Sequence, residues 1–473
     1  MLDSDSQVLY PYVWEREEDQ EKIQKFTENY KLFLNTCKTE RESAAKIAAL
    51  AREAGFQNLD DCIADGKKLK KGDKIYAIRR NKAAALFVIG ERPLKDGLHL
   101  IAAHIDSPRL DVRANPLYEN EGISLFKTHY YGGIKKYQWA TIPLALHGIV
   151  VKKNGERINV VIGEEENDPV FYISDLPKHL SAEQSKKTMA EGIMGEDLNI
   201  IVGSIPLSED GKKAGRIRKN ILRLLKERYS ISEKDFTSAE LEIVPAGKAR
   251  DVGFDRSMIA SYGHDDRICS YTALMGLLDS EQHPFTGGVL FVDKEEVGNP
   301  GGCGMDSHYM ENLISKIVSL TEETDPMTLR LALENSKMLS ADVGIAYDSS
   351  YPDAFEPSNT ARLGRGPAII KYAGHMGKKG CNDASAEYLA LIRDIFDNAD
   401  VYWQTGEYGK IDFGGGGTIA PFAAAYGMEV VDCGVVLLSM HAPYELASKA
   451  DIYETYRAYR AFLESGFELR QYM

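Results

Sequence analysis

A chain of 473 residues is long enough for two or three domains. Hydrophobic residues at 44% and charged residues at 27% give the make-up of a globular protein with a full core. The net charge of −14 argues against nucleic acid or an anionic membrane as the main partner, and no apolar run approaches the ~20 residues of a membrane span.

The opening segment, MLDSDSQVLYPYVWEREEDQ, lacks a basic segment followed by an apolar one, so no signal peptide is expected. The six cysteines (Cys37, Cys62, Cys269, Cys303, Cys381, Cys433) are scattered without a CxxC pair. Reduced thiols in a soluble cytoplasmic protein are the expectation. EDQEKIQKFTENYKLFLNTCKTERESAAKIAALAREAGF then carries apolar residues at helical spacing, and that pattern stops at Gly55. IYAIRRNKAAALFVIG reads as a hairpin-like pair of strands, and LHLIAAHID as a strand buried on both faces.

From about Leu110 to Asp251 the texture changes. Short strand-like runs (ALHGIVVKKNG, INVVIGE, ELEIVPAG) flank a polar helical passage, KKAGRIRKNILRLLKERY. From Phe254 helix and strand alternate again: RICSYTALMGLLDS, GGVLFVDK, MENLISKIVSL, KMLSADVGIAYD, EYLALIRDIFDNA, ADVYWQT, APFAAAYG, MEVVDCGVV and the final helix ADIYETYRAYRAFLESGF. This order predicts an α/β fold with a doubly wound, mostly parallel sheet. The expected division is a catalytic domain from residues 1–109 and 254–473, interrupted by an inserted β-rich domain at 110–253.

In such sheets functional groups gather where strands end. LIAA ends at His104, with Asp106 two residues on; FVDK ends at Glu295-Glu296, MLSA at Asp342 and VVLLSM at His441. Asp265-Asp266 precedes a helix, whose N-terminus favours anions. Imidazole plus carboxylate without thiolate suits zinc, manganese or cobalt with open positions, the catalytic pattern. Two metals about 3.5–4 Å apart need a bridging carboxylate and separate ligands for each. His104, Asp265, Glu296, Asp342 and His441 can meet that need, and Glu295 beside Glu296 can take a proton from an activated water.

AAHIDSP, GHDDR, DKEEVG, SADVG, GGTIAP and LLSMHAPYE together resemble the dizinc aminopeptidases of the aspartyl aminopeptidase and vacuolar aminopeptidase I family, from about Ile101 to the C-terminus. The resemblance implies a zinc-exopeptidase type of fold. It gives His104 and Asp342 to one metal, Glu296 and His441 to the other, Asp265 as the bridge and Glu295 as general base. Asp106 resembles the acid that orients a ligating imidazole. Zinc is the expected metal of the two per chain, with cobalt and manganese compatible. The substrates implied are small peptides with a free N-terminus. Relatives carry a domain inserted between the HxD and DD motifs, and commonly form hollow dodecamers through it, so a homo-oligomer is implied. In some of them a histidine from that domain reaches a neighbouring active site, and His179 in DLPKHLS is the nearest match. Lys371 best resembles the position that selects an acidic first residue, although the AGHMGKKGCND passage after it departs from the acidic-selective pattern. A neutral, leucine-type preference therefore stays open, as do surface roles for Lys378 and Lys379.

Rival readings remain beside these. Asp266 could ligate in place of Asp265, or cap the helix. Gly415-x-Gly417-x-x-Ala420 fits a dinucleotide fingerprint, with Asp432 at the end of the next strand. In the peptidase reading Gly416 and Gly417 instead let backbone approach the substrate. A dizinc carboxypeptidase or deacylase would use similar ligands, a non-catalytic scaffold would keep the fold alone, and Cys303 reads as a packing residue.

Overall fold

The computed structural model describes residues 10–208, 215–321, 325–374 and 376–473. The first helical stretch is two helices, Gln20–Thr36 and Glu40–Glu53. Thr39 separates them: its hydroxyl accepts the Glu42 N–H at 3.2 Å, and the Glu42 carboxylate accepts the Thr39 N–H at 3.0 Å. This capping box satisfies two helix-end donors. The apolar period runs on through the break, so spacing alone reads one stretch.

The chain packs as two compact units. The first comprises the residues up to Asp106, Ala249–Met440 and Glu445–Met473. Its main sheet has nine strands in the order Gln57–Asn58, Lys74–Arg79, Ala83–Val88, Thr286–Val292, Leu98–His104, Lys337–Ser340, Glu429–Gly434, Ala368–Ile370 and Gln404–Thr405. The strands from Thr286–Val292 to Glu429–Gly434 form a parallel centre. Antiparallel neighbours flank it, Ala83–Val88 on one side and Ala368–Ile370 on the other.

Alternate residues of the central strands enter opposite cores, which is what buries both faces. Ile101, Ala103, Val289 and Phe291 pack with the helices Gln20–Thr36, His264–Leu278, Ala386–Asn398 and Lys449–Glu464. Leu100, Ala102, Leu290 and Val292 pack with Leu59–Ala64, Tyr309–Ser319 and Ala420–Ala424. Runs of four or more consecutive apolar residues are therefore read correctly as central parallel strands.

Two expected strands are shorter than their apolar runs. ADVYWQT contributes only Gln404–Thr405. KMLSADVGIAYD breaks after Ser340 and resumes at Gly344–Ile345 in a second, five-stranded sheet with Val436–Leu438, Glu445–Ser448, Met258–Ser261 and Arg250–Val252. Asp342 sits at that switch between sheets.

The second unit is Ser107–Lys248 with the segment His441–Tyr444. It is built on an antiparallel sheet of six strands ordered Arg157–Ile162, Leu144–Val151, Ala239–Pro245, Arg109–Asn120, Ile123–Tyr131 and Ile200–Gly203. Helix Arg216–Tyr229 belongs to it. Arg250–Val252, by contrast, pairs with Met258–Ala260 in the first unit. Among the described residues no helix is long and apolar enough to cross a membrane.

His99 on the strand Leu98–His104 shows how closely the first core is packed. Its ring lies 4.4 Å from Phe285 and 4.9 Å from Phe462, and Nδ1 donates to the Phe462 carbonyl at 3.0 Å. Burial, helped by the Lys337 charge, lowers its pKa from 6.5 to about 3. The unfolded chain then takes up a proton near pH 6.5 that the folded chain refuses until about pH 3. Stability is thus fully present above pH 6.5 and is expected to fall through this residue by ~1.4 kcal/mol per pH unit below it. Urea denaturation of the wild type and of His99→Leu between pH 7 and 5 checks this. Equal slopes in the two proteins would remove His99 as the cause.

Candidate dinuclear metal centre

Three neighbouring strands of the parallel centre, Thr286–Val292, Leu98–His104 and Lys337–Ser340, all point their carboxyl ends the same way. The residues at or just beyond those ends are Glu295-Glu296, His104 and Asp342. Helix His264–Leu278 brings Asp265 to the same place, with a cis peptide between Asp265 and Asp266.

His104 is buried, and its Nδ1 donates to the main-chain carbonyl of Asp106 at 3.0 Å. With Nδ1 so occupied, Nε2 faces the acids: 3.1 Å to Asp265 Oδ1, 3.6 Å to Asp342 Oδ1 and 4.0 Å to Glu295 Oε2. A nitrogen lone pair aimed at carboxylate oxygens needs a proton or a cation between them. Burial opposes charge on this imidazole, but Asp106, Asp265 and Asp342 outweigh it and raise the pKa well above 6.5. His104–Asp265–Asp342 and His104–Glu295–Glu296 each offer ligand atoms that all lie within 4.8 Å of one another. One imidazole among oxygens, without thiolate, is the donor set of a catalytic zinc site, so divalent metal fits these residues.

The acids bear the cost of being held together. Burial first, and then the charge of Asp342, raises the Glu295 carboxyl to about 8. Burial likewise raises Asp342, against the opposing pull of His104. Asp266 is pushed well above its usual range by burial, with the charges of Asp342 and Asp265 adding to it. Its Oδ1 accepts the Cys269 N–H at 3.3 Å, the contact of a helix cap, whereas Asp265 is the acid beside His104 Nε2.

Asp106 does more than the expected orientation of an imidazole. Its carboxylate is 3.4 Å from His104 Nδ1, while its two oxygens accept the N–H groups of Glu295 and Glu296 at 3.2 and 3.3 Å. It therefore fixes the short 3₁₀ turn Glu295–Val297, which Lys294 enters in a left-handed conformation (φ 75°). The adjacent acids at the end of this strand are thus held in a turn by a third acid.

Sequence reasoning missed other supports. Buried Glu445 accepts the Asp265 N–H at 3.0 Å through Oε2; it closes the HAPYE motif, and only that placement could have marked it. Gly434 approaches so closely that a Cβ there would lie 2.1 Å from the Asp342 carbonyl oxygen. His264 Nε2 donates to the Ile259 carbonyl at 3.1 Å and its Nδ1 accepts the Tyr30 hydroxyl at 2.8 Å, which ties the residue before Asp265 into the core.

The remaining candidates belong to both units. His441 lies on the segment grouped with the second unit, where its Nδ1 donates to the Gly133 carbonyl at 2.8 Å. His179 is exposed on a 3₁₀ turn, Lys178–Leu180, of that same unit. In the first unit Lys371 is exposed just past the strand Ala368–Ile370, and its carbonyl accepts the Ala384 N–H. Gly416 donates its N–H to the Ala373 carbonyl at 3.1 Å, and Gly417 faces open space. Lys378 pairs with Asp383 at 2.9 Å. No strand leads into the glycine run and the helix after it has only five residues, so the strand–turn–helix of a dinucleotide site is not formed. Cys303 is buried, with its thiol pushed up by burial, as a packing residue would be.

The family described as aminopeptidase I zinc metalloprotease (M18) matches residues 33–463. A "Probable M18 family aminopeptidase 1" of Clostridium acetobutylicum is 52% identical over 96% of this chain and 98% of its own length. The crystal structure of an M18-family aminopeptidase from Thermotoga maritima superposes with a TM-score of 0.92 at 43% identity, covering 97% of this chain and 100% of that one. The S. cerevisiae mApe1 dodecamer shares the fold at 20% identity, with a TM-score of 0.75 over 97% of this chain and 98% of that one. Ligand-bearing strand ends, an imidazole aimed at carboxylates and a match across nearly the whole chain lead to one assignment: this protein belongs to the M18 family of zinc metalloproteases and is a metal-dependent aminopeptidase.

Proposed function

We propose that the enzyme removes the N-terminal residue of small peptides at a two-zinc centre, with Glu295 as general base. His104 and Asp342 would hold one zinc, Glu296 and His441 the other, and Asp265 would bridge them. When bound, zinc supplies a Lewis acid for the scissile carbonyl and lowers the pKa of water towards ~7. Glu295 takes the proton of the attacking water and delivers it to the leaving amine nitrogen. Asp106, through the N–H groups of Glu295 and Glu296, keeps base and ligand in one register. The observation that carries this reading is the Glu295 carboxylate, 4.0 Å from His104 Nε2 and next in sequence to Glu296.

Gly416 and Gly417 line the path of the substrate backbone in this reading, and exposed Lys371 offers a cation to an acidic first residue. The second unit is proposed to carry self-assembly. Val161, Val170, Leu176, Leu180, Met189 and Ile205 are all more than half exposed on it, and exposed apolar side chains are what interfaces cover. The dodecamer of S. cerevisiae mApe1 supports the same reading, and His179, between Leu176 and Leu180, is the candidate to reach a neighbouring subunit. Sedimentation as a monomer would remove this assignment. Six free cysteines support a reducing compartment such as the cytoplasm.

The test pairs zinc content with release of residues from free and N-acetylated peptides that begin with Asp or Leu. About two zinc ions per chain and cleavage of free-amine peptides alone are expected, with Asp-peptides preferred if Lys371 reads the first side chain. Cleavage of N-acetylated peptides would return the assignment to a deacylase or carboxypeptidase.

A further inference from the structure

Tyr408 lies between the short strand Gln404–Thr405 and the glycine run at 414–417. Its hydroxyl donates to the Val343 carbonyl at 2.7 Å. The Val343 N–H in turn donates to Asp342 Oδ1 at 2.7 Å, so one peptide unit and one residue link the phenol to the carboxylate beside His104. Burial holds the phenol well above its usual 10.

The opposite side of Tyr408 meets the glycine run. A Cβ at Gly414 would lie 1.8 Å from the Tyr408 carbonyl oxygen, so only glycine lets the loop fold back there. A Cβ at Gly416 would stand 3.5 Å from the ring itself. The loop that offers backbone to substrate therefore rests on the residue whose hydroxyl holds the chain next to Asp342. Val343 also marks the switch between the two sheets, where Gly344 N–H has already turned to the Val435 carbonyl.

We propose that Tyr408 is a positioning residue that couples the glycine-rich loop to the metal ligand Asp342. The inference rests on the two-zinc reading given above. Without the hydroxyl the Val343–Gly344 peptide is held only through the Gly344 N–H bond to Val435, the backbone torsions at Val343 are freer, and the N–H of the preceding peptide that aims Asp342 Oδ1 loses its fixed direction. The ring, still in place under the glycines, keeps the loop packed.

Tyr408→Phe removes that one atom. Supporting partners of metal ligands typically cost 10–100-fold when lost. The variant is therefore expected to bind zinc about tenfold more weakly in competition with a chelator and to lose about tenfold or more in kcat, with KM changed less than about threefold. Its zinc-free thermal midpoint should shift by only ~2–4 °C, as for one lost hydrogen bond. Zinc affinity and kcat both within twofold of the wild type would overturn the proposal. So would a large fall in thermal midpoint with zinc affinity intact, which assigns the hydroxyl to general stability. Wild-type protein measured alongside separates the two levels: if it holds no zinc or cleaves no free-amine peptide, the two-zinc reading itself fails.

Discussion

Glu295→Gln is expected to lower turnover by about 10²–10⁴-fold, the range of a general base, with zinc content unchanged. Glutamine keeps the shape of the side chain and leaves the main-chain N–H to Asp106 in place, so the turn and its neighbour Glu296 should stay where they are. What it cannot do is accept the proton of water. Burial and the nearby charge of Asp342 raise the Glu295 carboxyl to about 8, and strongly perturbed acids cluster at functional sites. Zinc analysis and single-turnover cleavage on the same preparation check the two halves of the prediction. A variant with full zinc and a rate near that of the wild type would sink the assigned base, and Asp106 or Glu296 would have to be considered in its place.

Asp265→Asn should strike the metals themselves. A bridge needs two charged oxygens, and asparagine offers one neutral oxygen and an amide that repels cations. Zinc content is expected to drop from about two to below one per chain, and turnover by more than the 10–100-fold of an outer support. The same loss should appear as stability. Zinc at a thousand times its dissociation constant stabilises a folded chain by ~4 kcal/mol, and that increment should vanish in the variant. If two zinc ions remain bound, Asp265 is not the bridge, and Asp266, one residue along the helix and equally buried, becomes the residue to test.

How much of this could be read before the structure depended on what each residue contributes. Strand ends were legible because both sheet faces are buried: the runs LIAA and GGVLFV are apolar throughout, so His104 and the acids beyond Val292 stand out against them. Spacing was blind to Thr39, since a capping box interrupts the backbone without interrupting the apolar period. The second half of KMLSADVGIAYD belongs to another sheet, and local composition carries no trace of that switch. Asp106 was found through its two-residue offset from His104, but its grip on the Glu295 and Glu296 N–H groups depends on a contact between distant segments. Tyr408 was hidden for the opposite reason: EYGKIDF is a poor strand and a polar loop, and its value lies in one hydroxyl reaching Val343.

The parallel centre also dictates when the site can exist during synthesis. Among the described residues the strand ending at His104 has Thr286–Val292 and Lys337–Ser340 as its neighbours, both of which leave the ribosome long after it. At 5–20 residues per second the wait from His104 to Ser340 is roughly 10–50 s. Until Thr286–Val292 has been made, roughly 10–40 s after His104 at the same rate, a strand apolar on both faces has neither of these edges to join. Nascent chains of this protein should therefore engage holding chaperones, and on the proposed ligand set the zinc assigned to His104 and Asp342 would be acquired only by a nearly finished polypeptide.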